Sequence, residues 1–299
     1  MLKGSSGTRT ASRAPALLEA GRLAWAQSDY PAAADLSEQS LTLSRELGDT
    51  QGISDALNSL GLVAAAQGDF AAARLLYEEG LVLAREVIDK RRVAVLLNNL
   101  GLVAVEQGDY TAARPLHEES LALRRELGDT HGVSYSLNSL GLVAAAQGDL
   151  AAARPLLEES LRMRRDLGDK LGTANSLNNL GMVAHRQGDD ERAAALWKES
   201  LALRRELGDK RGIAVCLESL AAVAAARRGF ARAARILGAA EALRDAIGAP
   251  MAPPDRAEYD RGVAAVRSAL GDQAFASEWA KGRAMRVDQA IEYTVKEAG

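Results

Sequence analysis

A single cysteine, Cys216, stands among 299 residues, with three histidines and an aromatic content of only 4%. One cysteine excludes an internal disulfide framework and suits a reducing compartment. So few aromatics, set against abundant Ala and Leu, disfavour a β fold and favour closely packed helices. No apolar run approaches the ~20 residues that a membrane-spanning helix needs. Met1 to Ala14 carries Lys3, Arg9 and Arg13 among Gly, Ser and Thr without an apolar core. It reads as a disordered tail over 1–13 and not as a secretion signal, so the expected location is cytoplasmic. Excess charge is lacking too: 37 basic against 40 acidic residues leave a net −3. That balance offers no bulk electrostatic pull toward nucleic acid or anionic lipid.

What the chain has in quantity is repetition. Leu60-Gly61-Leu62-Val63-Ala64-Ala65-Ala66-Gln67-Gly68-Asp69-Phe70 returns, with changes, as Leu100 to Tyr110, Leu140 to Leu150 and Leu180 to Asp190. A weaker copy runs from Leu220 to Phe230, and a degenerate one from Ala20 to Tyr30 opens the series. A fixed period marks an array whose units pack on their neighbours. Gly-Asp pairs punctuate it, at Gly68-Asp69, Gly108-Asp109, Gly148-Asp149 and Gly188-Asp189 within a period, and at Gly48-Asp49, Gly128-Asp129, Gly168-Asp169 and Gly208-Asp209 between periods. Gly can end a helix in the left-handed conformation and Asp can cap the next one. The spacing therefore predicts helix, tight turn, helix, repeated.

Within a unit, Leu57, Leu60, Gly61 and Ala64 have the spacing of one buried helical face. Gly61 is costly inside a helix by ~1 kcal/mol against Ala. Its return at 21, 101, 141 and 181 predicts a place where the neighbouring helix leaves no room for a Cβ. Ala33, Ala73, Ala113, Ala153, Ala193 and Ala233 are the matching small residues of the second helix. Pro115 and Pro155 fall inside second helices.

A Gly, an Ala twelve residues on and an aromatic between them (Phe70, Tyr110) resemble the tetratricopeptide repeat. The usual unit has 34 residues; these are similar to the longer units of kinesin light chains. The resemblance implies an all-α, right-handed α-solenoid of antiparallel helix pairs, with six repeats at about 14–48, 49–88, 89–128, 129–168, 169–208 and 209–248. Beyond it, Ala249-Pro250-Met251-Ala252-Pro253-Pro254-Asp255 reads as a stiff link, with Asp255 placed to cap the next helix. Arg256 to Leu270, Asp272 to about Arg283 and Asp288 to about Ala298 read as a three-helix C-terminal cap over 249–299. Ala265, Val266, Leu270, Phe275 and Trp279 are its candidate covering residues. The sixth unit and this tail, including Ala239-Ala240-Glu241-Ala242-Leu243-Arg244, also resemble the C-terminal end of bacterial LuxR-type and signal-transduction ATPase transcription regulators. The modules such regulators carry ahead of their repeats are not expected here: neither a Gly-x-x-x-x-Gly-Lys-[Ser/Thr] phosphate loop nor a helix-turn-helix segment is found.

Chemistry has little to work with. His117, His131 and His185 lie on different helix faces and read as isolated surface or groove residues, and Cys216 has no His at ligand spacing. Glu78-Glu79 and Glu118-Glu119 recur in one register, as a solvated stripe does and a catalytic pair does not. Arg91-Arg92, Arg124-Arg125, Arg164-Arg165 and Arg204-Arg205 lie beside acids, which describes a salt-bridged face better than a phosphate track. The expectation is no enzyme, no cofactor, no metal, no direct nucleic acid and no membrane.

Polar residues beside the packed face carry the functional reading. At 100° per residue Asn58 and Leu62 form a stripe, repeated as Asn98 and Leu102, Asn138 and Leu142, and Asn178 and Met182. Asn99 and Asn179 double the amide in alternate units. The resemblance implies that first helices line a concave groove and that these amides bond the main chain of an extended protein or peptide segment. The candidate groove comprises Asn58, Leu62, Asn98, Asn99, Leu102, Tyr135, Asn138, Leu142, Asn175, Asn178, Asn179, Met182, His185 and Arg186. The alternative is that the amides bond each other and stabilise the stack. Departures from the repeat at Asp55, Glu106, Tyr135, Asn175, His185, Arg186 and Glu218 are candidate specificity positions. The chain is thus expected to be a binding scaffold in bacterial regulation. Rival readings are the sensor or autoinhibitory part of an ATPase-type regulator, and a self-associating array.

Overall fold

The computed structural model describes residues 4–249, 251 and 253–296. Among these there are fifteen α-helices and no strand. The chain divides into two compact units, 1–148 and 149–299. The first holds α1 (Gly4–Ala26), α2 (Tyr30–Leu47), α3 (Thr50–Ala66), α4 (Phe70–Glu86), α5 (Lys90–Glu106), α6 (Tyr110–Glu126) and α7 (Thr130–Ala146). The second holds α8 (Leu150–Asp166), α9 (Lys170–Arg186), α10 (Asp190–Leu207), α11 (Lys210–Ala226), α12 (Phe230–Ile247), α13 (Pro253–Leu270), α14 (Asp272–Arg283) and α15 (Val287–Val295). From α1 to α7 and from α8 to α14 each helix packs on the next, as the repeat demands, while α15 packs on α11 and α12.

An Asp side chain sets the start of every helix from α2 to α11. Asp69 Oδ1 accepts the Ala72 N–H at 3.0 Å, and Asp169 Oδ1 accepts that of Gly172 at 2.8 Å. Gly128 and Gly168, at φ 65 and 69°, take the left-handed conformation between units. α1 starts at Gly4, inside the stretch expected to be a tail. Its Ser, Thr, Ala and Arg residues include no proline before Pro15. Residues 1–3 of that expectation lie outside the described residues, as do 250 and 252 of the link and 297–299 of the last expected helix.

The glycine inside α3, α5 and α9 has a more specific cause than close backbones. A Cβ on Gly101 would lie 2.6 Å from Cε1 of His117, and one on Gly181 would lie 2.5 Å from Nε1 of Trp197. Tyr77 fills the same place over Gly61. The second helix sends a ring across, and the first helix gives up its Cβ to receive it. Small residues close the rest of the seam: Ala73, Ala113 and Ala193 are fully buried. Buried serines bond across it, with Ser40 Oγ donating to the Ala14 carbonyl at 2.8 Å and Ser120 Oγ to that of Ala94 at 2.8 Å. Leu57, Leu97 and Leu217 fill the cores, each stabilising by about 1.5–3 kcal/mol.

At the end of the second unit, α14 lies against α12. Val266 and Phe275 are buried there, with Leu270 and Trp279 packed beside them. Ala265 is exposed instead of covering the core, because the face of α13 that meets α12 runs through Tyr259, Val263 and Val266. α13 begins at Pro253, so Asp255 lies inside its first turn.

Candidate functional site

Unit 1 presents Asn58 and Leu62 on α3, Asn98, Asn99 and Leu102 on α5, and Tyr135, Asn138 and Leu142 on α7. The amides of Asn58, Asn98, Asn99 and Asn138 are half-buried, with Leu102 and Tyr135 exposed beside them at 44% and 42%. Asn99 Nδ2 donates to Asn58 Oδ1 at 2.8 Å, joining one repeat to the previous one. Asn98 Nδ2 reaches Asn99 Oδ1 at 3.5 Å, while Asn98 Oδ1 is buried with no hydrogen-bond partner. The Tyr135 ring lies 4.9 Å from that of His131. Val95, not anticipated from the sequence, is 37% exposed on the same face of α5. Its place one turn before Asn98 and two before Leu102 carried that signal.

Unit 2 presents Asn175, Asn178, Asn179, Met182, His185 and Arg186 along α9. The Asn178 carbonyl accepts the indole N–H of Trp197 at 3.0 Å, and Asn178 Oδ1 is buried without a partner. Met182 packs against the core. Arg186 is exposed.

Several of the irregular positions are matched within the chain. Asp55 accepts both Nε and Nη2 of Arg92 at 2.9 Å, and Arg92 stands where other repeats carry glycine. Asn175 Oδ1 accepts Nη2 of Arg204 at 2.7 Å. His185 Nδ1 lies 2.6 Å from Asp190 Oδ1, Asp190 replacing the aromatic of other repeats. Glu218 binds Nε and Nη2 of Arg244 at 2.5 and 2.8 Å. At Asp55, Asn175, His185 and Glu218, then, a second side chain satisfies the departure.

The arginine pairs read from the sequence as a solvent face, and in three of them one member is not there. Arg124, Arg164 and Arg204 are buried, at 7%, 1% and 7% exposure. Arg124 Nη1 donates to the Gly132 carbonyl at 2.6 Å, and Arg164 Nη1 to that of Gly172 at 2.7 Å. These carbonyls belong to the first turn of the next helix, so the arginine ties one repeat to its successor. Gly132, Gly172 and Gly212 leave the space: a Cβ would lie 2.7, 2.9 and 2.6 Å from Cδ of the respective arginine. The recurrence of a glycine eight residues after each arginine was the available signal. Burial lowers the pKa of Arg124, opposed by Asp129.

His117 was expected at the surface or in a groove, but it is fully buried, with neither ring nitrogen hydrogen-bonded. Burial, helped by the positive charge of Arg124, pushes its pKa down to about 4. Cys216 is buried, its thiol 3.4 Å from Ser200 Oγ, and burial raises its pKa, which keeps it in the unreactive thiol form. No cluster of His, Cys, Asp and Glu able to hold a metal ion occurs among the described residues. No helix among them is long and apolar enough to cross a membrane.

No curated protein matches the chain. Among solved structures, BtubC (BKLC) from P. vanneervenii is 21% identical, with a TM-score of 0.56 over 68% of this chain and 90% of its own. A Podosopora anserina putative kinesin light chain with nearly identical TPR-like repeats is 17% identical, with a TM-score of 0.53 over 66% of this chain and 97% of its own. At these identities the likeness is one of fold. The family model for the tetratricopeptide repeat matches residues 12–86, 92–166 and 171–246. With most of its length so matched, the chain belongs to the tetratricopeptide repeat family.

Proposed function

We propose that the chain is a non-catalytic scaffold whose first helices hold an extended segment of a protein or peptide partner, in cytoplasmic bacterial regulation. The observation that carries this reading is the strip in unit 1, where half-buried amides of Asn58, Asn98 and Asn138 alternate with the apolar surfaces of Leu62, Leu102 and Leu142. An amide in such surroundings can donate to and accept from a bound main chain, and the nearby apolar area can read side chains. The Asn58–Asn99 bond gives part of this amide set a stacking role as well; Asn98 and Asn138, which recur at the register of Asn58, are the pair to test. In unit 2, Asn178 and Met182 hold the corresponding registers, with Arg186 exposed one turn further along α9.

The test begins with capture of partners by the intact chain from its own cytosol, then measures affinity for the identified partner. Asn98→Ala combined with Asn138→Ala is expected to weaken binding by about tenfold or more, each lost amide pair being worth on the order of 1 kcal/mol, while the helical circular dichroism persists. Unchanged affinity for every captured partner refutes the reading. The resemblance of the sixth repeat and tail to ATPase-type regulators supports a second reading, in which the repeats sense or restrain a separate ATPase. An adjacent reading frame encoding such an ATPase, and binding of its product, would favour it.

A further inference from the structure

Three of the four most exposed large apolar side chains of unit 1 lie on α4 or just past its C-terminus, the fourth being Leu23 on α1. Leu75 is 68% exposed, Val82 57% and Ile88 80%. Leu75 and Val82 lie two turns apart on α4, so they form one stripe, together with Glu78 and Glu86. Other second helices are not built this way: the registers of Leu75 and Val82 carry Ala195 and Ala202 in the fifth repeat.

Ile88 is exposed just past the C-terminus of α4. Its φ is 57°, in the left-handed region, where five other repeats place glycine at φ 61–69°. A β-branched residue there sets its Cβ against the following carbonyl. The chain holds a strained, solvent-exposed isoleucine where its own repeat supplies glycine. A residue that strains the fold and is buried by nothing in it points outward for its role.

The charges around the stripe indicate what covers it. Glu78 and Glu86 have no ion pair among the described residues. Glu126, the counterpart of Glu86, is neutralised by Lys90 at 2.6 Å, whereas α3 offers Thr50 in the place of that lysine. The arginines of α4 are already engaged, Arg85 by Glu119 at 2.8 Å and Arg74 by Gln107. The face is therefore apolar and acidic. Two copies packing through it about a two-fold axis would oppose like carboxylates.

We propose that the solvent face of α4 and its cap, Leu75, Glu78, Val82, Glu86 and Ile88, docks a basic amphipathic helix of a partner protein. Its apolar residues lie on Leu75, Val82 and Ile88, and its Lys or Arg residues meet the two carboxylates. This surface is separate from the amide strip, so either can fail alone.

The test uses the full chain and a fluorescein-labelled synthetic helix of ~20 residues, long enough to be helical, with Leu at i, i+3, i+4 and i+7 spacing and flanking Lys. A second probe carries Glu in place of every Lys. The Lys probe is expected to bind at least about tenfold tighter than the Glu probe, the preference shrinking as salt screens the carboxylates. Leu75→Ala with Val82→Ala installs residues the fifth repeat already uses, so the fold is retained. That variant should lose at least about tenfold in affinity. Ile88→Gly should weaken binding while raising Tm, a combination that a purely structural residue does not produce. Asn98→Ala with Asn138→Ala should leave this affinity unchanged. Equal binding of the two probes, full affinity in either α4 variant, or a concentration-dependent dimer abolished by Leu75→Ala with Val82→Ala in sedimentation would each overturn the proposal.

Discussion

Acidification offers a sharp test of the packing between α5 and α6. His117 stands on the backbone of α5 at Gly101, fully buried, without a hydrogen-bond partner on either ring nitrogen and near the positive Arg124. Its pKa is depressed from the ordinary 6.5 to about 4 by burial first and Arg124 second. Above pH 6.5 the ring is neutral in both folded and unfolded chains and exerts no penalty. As pH falls below 6.5 the unfolded chain takes up a proton that the folded chain refuses, and stability declines until about pH 4. Going from pH 7 to about pH 5 the loss from this single group is about 2 kcal/mol, at roughly 1.4 kcal/mol per pH unit. That is a large fraction of the 5–15 kcal/mol typical of a folded domain. The assay is urea unfolding monitored by helical circular dichroism at both pH values, on the parent chain and on His117→Leu, which borrows the residue found in this register at Leu157. The parent should lose about 2 kcal/mol more on acidification than the variant. Parallel losses in the two proteins would refute the buried, unpaired state of the ring.

The same seams yield three further expected outcomes. Gly101→Ala should destabilise by about 1–3 kcal/mol in a thermal melt, because its Cβ would meet the His117 ring at 2.6 Å, an overpacking cost that outweighs the ~1 kcal/mol gain in helix propensity. Arg164→Met should cost about 1.5–3 kcal/mol, from the lost charged hydrogen bonds to the Gly172 carbonyl and Ser176 Oγ, and hydrogen exchange should speed up first in the opening turn of α9. Asp69→Ala removes the cap on the Ala72 N–H and should cost about 1 kcal/mol, measured by the urea midpoint.

The period, the Gly-Asp punctuation and the apolar spacing of Leu57, Leu60 and Ala64 are local or near-local signals, and they were enough to state helices, turns and family. They suffice because a cap, a left-handed turn and an amphipathic face depend on residues within one or two helical turns. Partnership across helices is another matter. Whether an arginine is solvated or buried depends on what the next helix places against it, as Gly172 does for Arg164, and two adjacent arginines look alike until the fold turns one inward. His117 had no local mark of burial, since only Gly101 on the neighbouring helix makes room for it. Asp55, Asn175, His185 and Glu218 look like free recognition groups until Arg92, Arg204, Asp190 and Arg244 are brought against them. Sequence alone thus determined the elements and their order. Only tertiary packing decided which polar side chains are engaged within the chain and which, like Glu78 and Glu86 beside an exposed Leu75, are left facing outward, because charge satisfaction is a property of juxtaposed helices and not of any one of them.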